Sequence, residues 1–276
     1  MLSIVLTEFQ KMKRYHILLI GMIGMALSPV LGLISQNVAI AEARIPNFDL
    51  RAFLGSTIWN NATIFMPVIF TLTGGYLINR EYTDDTLKNL FTVPVSFPAL
   101  LAGKLIAAGC LSVLLGVYSF LATVFIGACA GLPGIGISVL CSGLAEMIGL
   151  SACIYIAVLP ILSFCGRIPG AFMGGAVAAF VMGYCSMFFK SGLLRSVYPF
   201  LAAFSVIGFD TASYTGAKSE AGVTLGIASL GTMLLLSIVL TAVSKAPEEA
   251  GGRRTKRVLS LRPAQRERIR AGRHSR

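Results

Sequence analysis

Long apolar blocks alternate with short polar segments along most of the chain. A helix needs about 20 consecutive apolar residues to cross the hydrocarbon core of a bilayer. Blocks of roughly that length lie at about 17–35, 58–78, 105–130, 138–164, 169–189 and 222–243. The pattern therefore predicts an all-α integral membrane protein in which residues 16–243 form a domain of six transmembrane helices.

Two further segments have apolar faces but are too short to be ordinary spans. Residues 1–15 carry apolar side chains at helical spacing, which is typical of an amphipathic helix lying in the membrane interface. The candidate contact residues of this N-terminal interfacial helix are Glu8, Phe9, Lys11, Lys13 and Arg14. Within segment 191–221, residues 196–209 are apolar over only 14 positions. This predicts a re-entrant or outer-surface helix before the last span.

The composition indicates a membrane protein, and most of its positive charge lies at one end of the sequence. Only 13% of the residues are charged, against about 25% in an average soluble domain. The net charge of +11 is concentrated in residues 244–276, which hold 11 Lys and Arg but 3 Asp and Glu. We expect a disordered basic tail that is attracted to anionic membrane lipids. No nucleic-acid partner is expected, because neither aromatic residues nor a binding fold accompany this charge.

The orientation follows from the Lys and Arg residues beside the spans, because cytoplasmic loops carry an excess of them. With the N-terminus inside, 18 basic residues fall on the cytoplasmic side and 5 on the outer side. We therefore expect a multi-pass protein of the plasma (inner) membrane with both termini in the cytoplasm.

The sequence carries no recognisable catalytic or nucleotide-binding machinery. A phosphate-binding Walker A loop ends in Gly-Lys-Ser/Thr, but Gly103-Lys104 is followed by Leu105. The two histidines, His16 and His274, are too few for a histidine-based hydrolytic or metal site. We expect no enzymatic activity, no cofactor and no metal. Any ATP hydrolysis would then belong to a separate chain.

Glu146 is the clearest ionisable residue deep inside a predicted span. Placing a carboxylate in lipid costs several kcal/mol, so it should face other helices or water. Two interpretations stay open at this point. Glu146 could interact with a substrate or a proton, or it could be a hydrogen-bonded packing residue near the outer third of the fourth span.

The coupling loop 79–104, as we call it, is the most polar internal segment. Asp84 and Asp85 suit the first turn of a short helix, where the dipole favours negative charge, and Pro94 ends that helix. A second helix is predicted to begin near Ser96 and to run into the third span. A short amphipathic helix offers a rigid surface to a cytoplasmic partner, although a merely solvated loop fits the spacing equally well.

This loop resembles the characteristic segment of ABC-2 type permeases. Their pattern is Glu, three residues, Gly-Thr, a short apolar helix, Pro-Ile/Val-Ser and a Lys entering the next span. Here Glu81 opens the pattern, Asp85 occupies the glycine position, and Phe97 replaces the Arg that commonly follows the serine; Lys104 lies downstream. Residues 8–14 are similar to the opening helix of the bacitracin-resistance and lantibiotic-immunity branch.

The resemblance implies the permease subunit of an ATP-driven exporter that moves an amphiphilic or antibiotic-like peptide. ATP would be hydrolysed by a separate cytoplasmic ATP-binding cassette subunit, and a second permease copy or a related permease would complete the assembly. The loop helix would act as the coupling helix, and residues 196–209 would be re-entrant. The implied coupling residues are Glu81, Tyr82, Asp84, Asp85, Thr86, Leu87, Lys88, Leu90, Phe91 and Pro94.

Other classes remain open from the residues alone. The main alternative is a secondary transporter or channel in which Glu146 is the coupling group. A membrane enzyme would need a catalytic constellation that the sequence does not offer. A structural or assembly protein without transport activity is compatible with the composition.

Overall fold

A computed structural model of the chain describes residues 17–38, 45, 47–83, 96–168, 170–189, 197–215 and 222–244. Every regular element in that part of the chain is helical, as the sequence predicts. Three predicted units lie outside the described residues: the interfacial helix 1–15, the coupling residues 84–94 and the basic tail from residue 245 onwards.

The described helices pack against one another as a bundle. In chain order they are α1 Ile17–Val38, α2 Leu50–Asn60, α3 Met66–Thr83, α4 Phe97–Cys129, α5 Ile137–Cys165, α6 Phe172–Cys185, α7 Pro199–Ile207, α8 Ala212–Thr215 and α9 Val223–Ala242. A π-helical turn, Asn61–Phe65, joins α2 to α3, and a 3-10 turn, Ser186–Phe188, follows α6. We call the end where α2 and α5 begin the Arg51 end, and the end where α3 stops the Thr83 end.

Five helical stretches among the described residues are long and apolar enough to cross a membrane. They are α1, the continuous α2–α3 stretch, α4, α5 and α9. The predicted fifth span corresponds to α6 with its 3-10 turn, Phe172–Phe188, which is apolar but shorter than a typical span. The structure therefore gives five candidate spans where the sequence predicts six.

The second membrane helix begins at Leu50, about two turns before its predicted start at residue 58. Asp49 sets this beginning, because its side chain accepts a hydrogen bond from the Ala52 amide at 2.8 Å. The Leu50 amide donates to the Pro133 carbonyl at 2.9 Å, and Leu50 is fully buried. The hydropathy pattern does not predict residues 50–57 as part of the helix, because they include the charged Arg51 and the hydroxyl-bearing Ser56 and Thr57.

The π-helical turn between α2 and α3 has a cause in the sequence. Pro67 has no backbone N–H, so it cannot donate to the carbonyl of Thr63 four residues earlier. The hydrogen-bond spacing widens there, and the Met66 amide donates to the Asn61 carbonyl. Gly183 of α6 approaches the widened turn so closely that an added Cβ would lie 2.6 Å from the Thr63 carbonyl oxygen.

The buried core extends through the middle of the bundle. Helix α4 contacts both α1 and α5, α3 packs against α6, and α9 packs against α5 and α7. The largest fully buried side chains include Met25, Phe53, Phe70, Met147 and Phe200. Rows of apolar residues on α1 and α9 remain exposed. Exposed apolar faces are suited to contact with lipid or with another membrane helix.

The short helix α7 lies inside the bundle. Its first six residues, Pro199 to Phe204, are buried, and the five from Phe200 to Phe204 are at most 3% exposed. Phe204 stacks on Trp59 of α2, and Ser229 of α9 donates to the Val197 carbonyl at 2.5 Å. At 1.5 Å per residue, Trp59 lies about 14 Å from the start of α2 and Ser229 about 9 Å from the start of α9. Helix α7 is therefore positioned well below the Arg51 end.

Candidate functional site

A two-point ion pair joins α2 and α5 near the Arg51 end. Arg51 Nη1 lies 2.9 Å from Glu146 Oε2, and Arg51 Nη2 lies 2.6 Å from Glu146 Oε1. The Glu146 side chain is 16% exposed and the Arg51 side chain 43%. The planar guanidinium matches both carboxylate oxygens, which gives this pair both strength and a fixed orientation. The charge of Glu146 is therefore compensated by a partner from another helix.

The positions of the two side chains in their helices explain why they meet. Arg51 is in the first turn of α2, where the helix dipole disfavours a positive charge unless anions are nearby. Asp49 caps that turn, and Glu146 supplies a second carboxylate. Glu146 lies about 14 Å along α5 at 1.5 Å per residue. Arg51 and Glu146 are 95 residues apart in the sequence, so no local pattern predicts that they pair.

An aromatic stack connects α7 and α8 to α2 beside this pair. Trp59 stacks on Phe204 and on Tyr214, with ring centroids 5.3 and 5.2 Å apart. Phe209 lies 5.5 Å from Phe204 and 6.1 Å from Tyr214. Burial raises the pKa of the Tyr214 phenol to about 12, although the charge of Arg51 opposes the rise. The Tyr214 phenol is therefore uncharged and adds no second negative charge beside Arg51.

A second polar cluster lies in the middle of the bundle, at the start of the π-helical turn. Asn61 Nδ2 donates to Ser119 Oγ at 2.9 Å and lies 3.4 Å from Met147 Sδ. Asn61 is fully buried, and its Oδ1 has no hydrogen-bond partner among the described residues. These contacts link the second membrane helix to α4 and α5. Hydropathy does not reveal this cluster, although the amide of Asn61 inside the apolar block 58–78 is a visible signal for it.

At the Thr83 end, the structure describes the beginning of the predicted coupling segment. Glu81 and Tyr82 lie in the last turn of α3, whereas the predicted coupling residues from 84 to 94 lie outside the described residues. Lys104 is inside α4 and only 2% exposed, with Nζ 3.3 Å from the Leu77 carbonyl of α3. This contact joins the two helices that flank the coupling segment.

Two more contacts connect helices at the Thr83 end. The Gly170 amide donates to Asn79 Oδ1 at 2.6 Å. The Arg167 guanidinium, just after α5, donates to the Leu240 carbonyl of α9. The predicted interfacial residues Glu8, Phe9, Lys11, Lys13 and Arg14 lie outside the described residues.

The described residues bring together groups suited to binding and to holding helices in place. No three His, Cys, Asp or Glu side chains in that part of the chain are grouped so that they could hold a metal ion. The ion pair, the aromatic stack and the mid-bundle amide each connect different helices. Such contacts can break and form again when membrane helices move against one another.

Comparison with known proteins gives two similarities. Residues 4–186 match the family described as ABC-2 family transporter protein. The chain is also 29% identical over 124 residues to the bacitracin transport permease protein BCRB of Bacillus licheniformis. That match covers 44% of this chain and 59% of the relative, so the chain spans about three fifths of the relative's length. The family match includes the coupling segment and Glu146 and stops before α7.

Proposed function

The chain belongs to the ABC-2 transporter family, and we propose that it is the membrane-spanning permease subunit of an ATP-driven exporter. The observation that carries this proposal is the family match over residues 4–186, which includes the loop that resembles a coupling helix. The sequence offers no phosphate-binding loop, so the proposal requires a separate cytoplasmic ATP-binding cassette subunit. A second copy of this chain, or a related permease, would complete the membrane assembly.

We assign six spans, with α6 as the fifth and α7 as the re-entrant helix. The 17 residues of Phe172–Phe188 extend about 26 Å as a helix, slightly less than the hydrocarbon thickness of about 30 Å. Helix α7 supports this assignment because it packs at the depth of Trp59 and Ser229. In this arrangement α6 ends inside the bilayer and α7 fills the remaining depth, buried in protein as a broken segment must be.

The Thr83 end is proposed to face the cytoplasm. The support is the distribution of basic residues, 18 on that side against 5 on the other. The coupling helix within 81–94 would then contact the ATPase, and the interfacial helix 1–15 would lie beside it on the plasma membrane. The basic tail 244–276 would contact anionic lipids.

The substrate is proposed to be an amphiphilic or antibiotic-like peptide. The support is the relative described as a bacitracin transport permease, together with the apolar character of the bundle. Movement of α7 and α8 against α2 would disturb the aromatic stack, and movement of α5 against α2 would disturb the Arg51–Glu146 pair. These contacts are therefore the described groups best placed to sense a substrate near the Arg51 end.

The proposal is tested by isolating the chain with its partners from native membranes. We expect an ATP-binding cassette subunit to be recovered and its ATPase activity to be stimulated by the substrate. Leu90→Asp should reduce that stimulation by about tenfold while leaving membrane insertion intact, since it places a desolvated charge in the contact. Ile135→Asp, in the exposed loop at the Arg51 end, is the matched control. It should change neither the ATPase stimulation nor the membrane insertion.

Recovery of the folded chain without any nucleotide-binding subunit would count against the exporter. Transport that survives ATP depletion but stops when the proton gradient collapses would favour the secondary transporter instead. Equal ATPase stimulation in the Leu90→Asp and Ile135→Asp variants would remove the coupling role from residues 81–94.

A further inference from the structure

Helix α6 contacts the second membrane helix near both of its own ends. At the Thr83 end, an added Cβ at Gly75 of α3 would lie 2.6 Å from the Cβ of Phe172. The rings of Tyr76 and Phe172 are 6.4 Å apart, and the Gly170 amide donates to Asn79 Oδ1 at 2.6 Å. The opposite end of α6 contacts the π-helical turn. Helix α6 is therefore closely packed against the helix that leads into the coupling segment.

On the side of α5, the packing of α6 is more open. A groove of about 440 Å³ lies between the two helices, and Phe164 in its lining is 54% exposed. An added Cβ at Gly174 would meet nothing within 4 Å, although one at Gly175 would lie 2.6 Å from Cys165 Sγ. Close-packed side chains transmit a displacement, whereas an open groove absorbs it. We therefore expect α6 to follow a movement of α3 more closely than it follows α5.

The far end of α6 is joined to α7 through Tyr198, the residue that precedes α7. The Tyr198 hydroxyl donates to the Met182 carbonyl in the last turn of α6. Its ring centroid lies 4.9 Å from that of Phe189 and 5.8 Å from that of Phe200. Helix α7 in turn stacks on Trp59 through the aromatic stack. One end of α6 thus contacts α3, and the other end contacts the start of α7.

We propose that α6 connects the Thr83 end of the bundle to the aromatic stack, with Asn79 and Tyr198 as positioning residues. A displacement of α3 reaches α6 through Asn79 and reaches α7 through Tyr198. The two contacts on α6, Gly170 and Met182, are 12 residues apart, about 18 Å along a helix. The use of this connection in transport rests on the proposed exporter function, in which the ATPase displaces α3 through the coupling segment.

The sole tryptophan of the chain, Trp59, provides a native probe of this connection. It is 5% exposed because the stack covers it, so separation of α7 from α2 should make its fluorescence more accessible to acrylamide. Asn79→Leu removes the acceptor of the Gly170 amide, and Tyr198→Phe removes the hydroxyl that donates to Met182 but keeps the ring. In the purified full-length chain, each should raise the acrylamide quenching constant about twofold, as is usual for residues along a coupled path.

The double variant distinguishes one connected path from two local effects. Mutations about 18 Å apart that act independently have additive free energies, so the quenching constant would rise about fourfold. If both contacts lie on one path, loss of either releases α7, and the double variant should rise only about twofold. Asn79→Asp keeps an acceptor oxygen, and Gly174→Ala lies on the open side of α6. These two controls should leave the quenching unchanged.

An unchanged quenching constant in folded Asn79→Leu would overturn the proposal, and so would a fourfold rise in the double variant. If Asn79→Leu does not fold, Gly75→Ala takes its place, because the added Cβ displaces Phe172 and with it the start of α6. Gly75→Ala should then raise the quenching in the unchanged background and have no further effect in Tyr198→Phe. An effect that persists in Tyr198→Phe would mean that the displacement travels along α3 and α2 instead.

A second measurement tests the use of the connection in transport. With its ATPase partner, the chain carrying Asn79→Leu or Tyr198→Phe should lose most of the stimulation of ATPase activity by substrate and keep the basal activity. Full stimulation in both variants would overturn the role of α6 in transport. Failure to recover any ATPase subunit would contradict the exporter proposal itself, whereas the quenching measurements on the isolated chain would still decide whether α6 connects the two regions.

Discussion

Among single residues, Arg51 and Glu146 carry opposite charges that meet between two helices. Removal of one leaves the other without its partner, which costs more than removal of both. We predict that Arg51→Gln and Glu146→Gln each lower the free energy of unfolding, and that the double variant loses less than the sum. Because Arg51 is 43% exposed and partly screened by solvent, the coupling should be about 1 kcal/mol. Thermal unfolding of the four proteins in detergent measures it.

The same variants distinguish a packing role of Glu146 from a role of Glu146 in proton coupling. If Glu146 mainly orients α5 against α2, the double variant should still export substrate, because neither charge is left alone. If Glu146 carries protons, every variant without its carboxylate should lose proton-driven transport. A coupling energy near zero, measured in folded variants, would contradict the role that the ion-pair geometry suggests.

Among the secondary-structure elements, α6 offers a comparison of two glycines in one helix. An added Cβ at Gly183 would lie 2.6 Å from the Thr63 carbonyl oxygen, whereas one at Gly174 would meet nothing within 4 Å. We predict that Gly183→Ala destabilises the protein by about 1–3 kcal/mol, because the backbone of the π-helical turn must move. Gly174→Ala is the control and should be neutral or slightly stabilising, because alanine favours the helix.

Thermal unfolding of both variants in the same detergent checks this comparison. A smaller loss of stability for Gly183→Ala than for Gly174→Ala would show that α6 does not contact the π-helical turn as closely as described. The proline that causes the turn, Pro67, is visible in the sequence. The sequence does not show that Gly183 contacts this turn, because Gly183 and Thr63 are 120 residues apart. The contact is visible only in the packed structure.

For the whole molecule, apolar patterning predicted the uniform helices well and the interrupted ones poorly. Helices α5 and α9 begin and end within one or two residues of their predicted limits, 138–164 and 222–243. Each is continuously apolar, so hydropathy alone defines it. The ion pair and the position of α7 depend on tertiary contacts, which no local average contains. The start of α2 is set by the Asp49 cap, to which a hydropathy average gives no weight. The family resemblance was confirmed, because residues 4–186 match the ABC-2 family.

The orientation of the whole molecule leads to the last prediction. The loop between α4 and α5 lies at the Arg51 end, and Ile135 in it is 54% exposed. With the Thr83 end in the cytoplasm, Ile135→Cys should react with a membrane-impermeant maleimide in intact cells. Ser275→Cys in the basic tail should react only after the membrane is opened. The chain without added cysteine gives the background from its six native thiols.

The reverse labelling pattern would have consequences beyond the orientation itself. It would place residues 81–94 outside the cell, where no ATP-binding cassette subunit could reach them, so the coupling role would fail with it. It would also place Arg167 and the basic tail in the outer leaflet, against the usual excess of Lys and Arg on the cytoplasmic side. One labelling experiment therefore tests the premise shared by the coupling segment and the charge distribution.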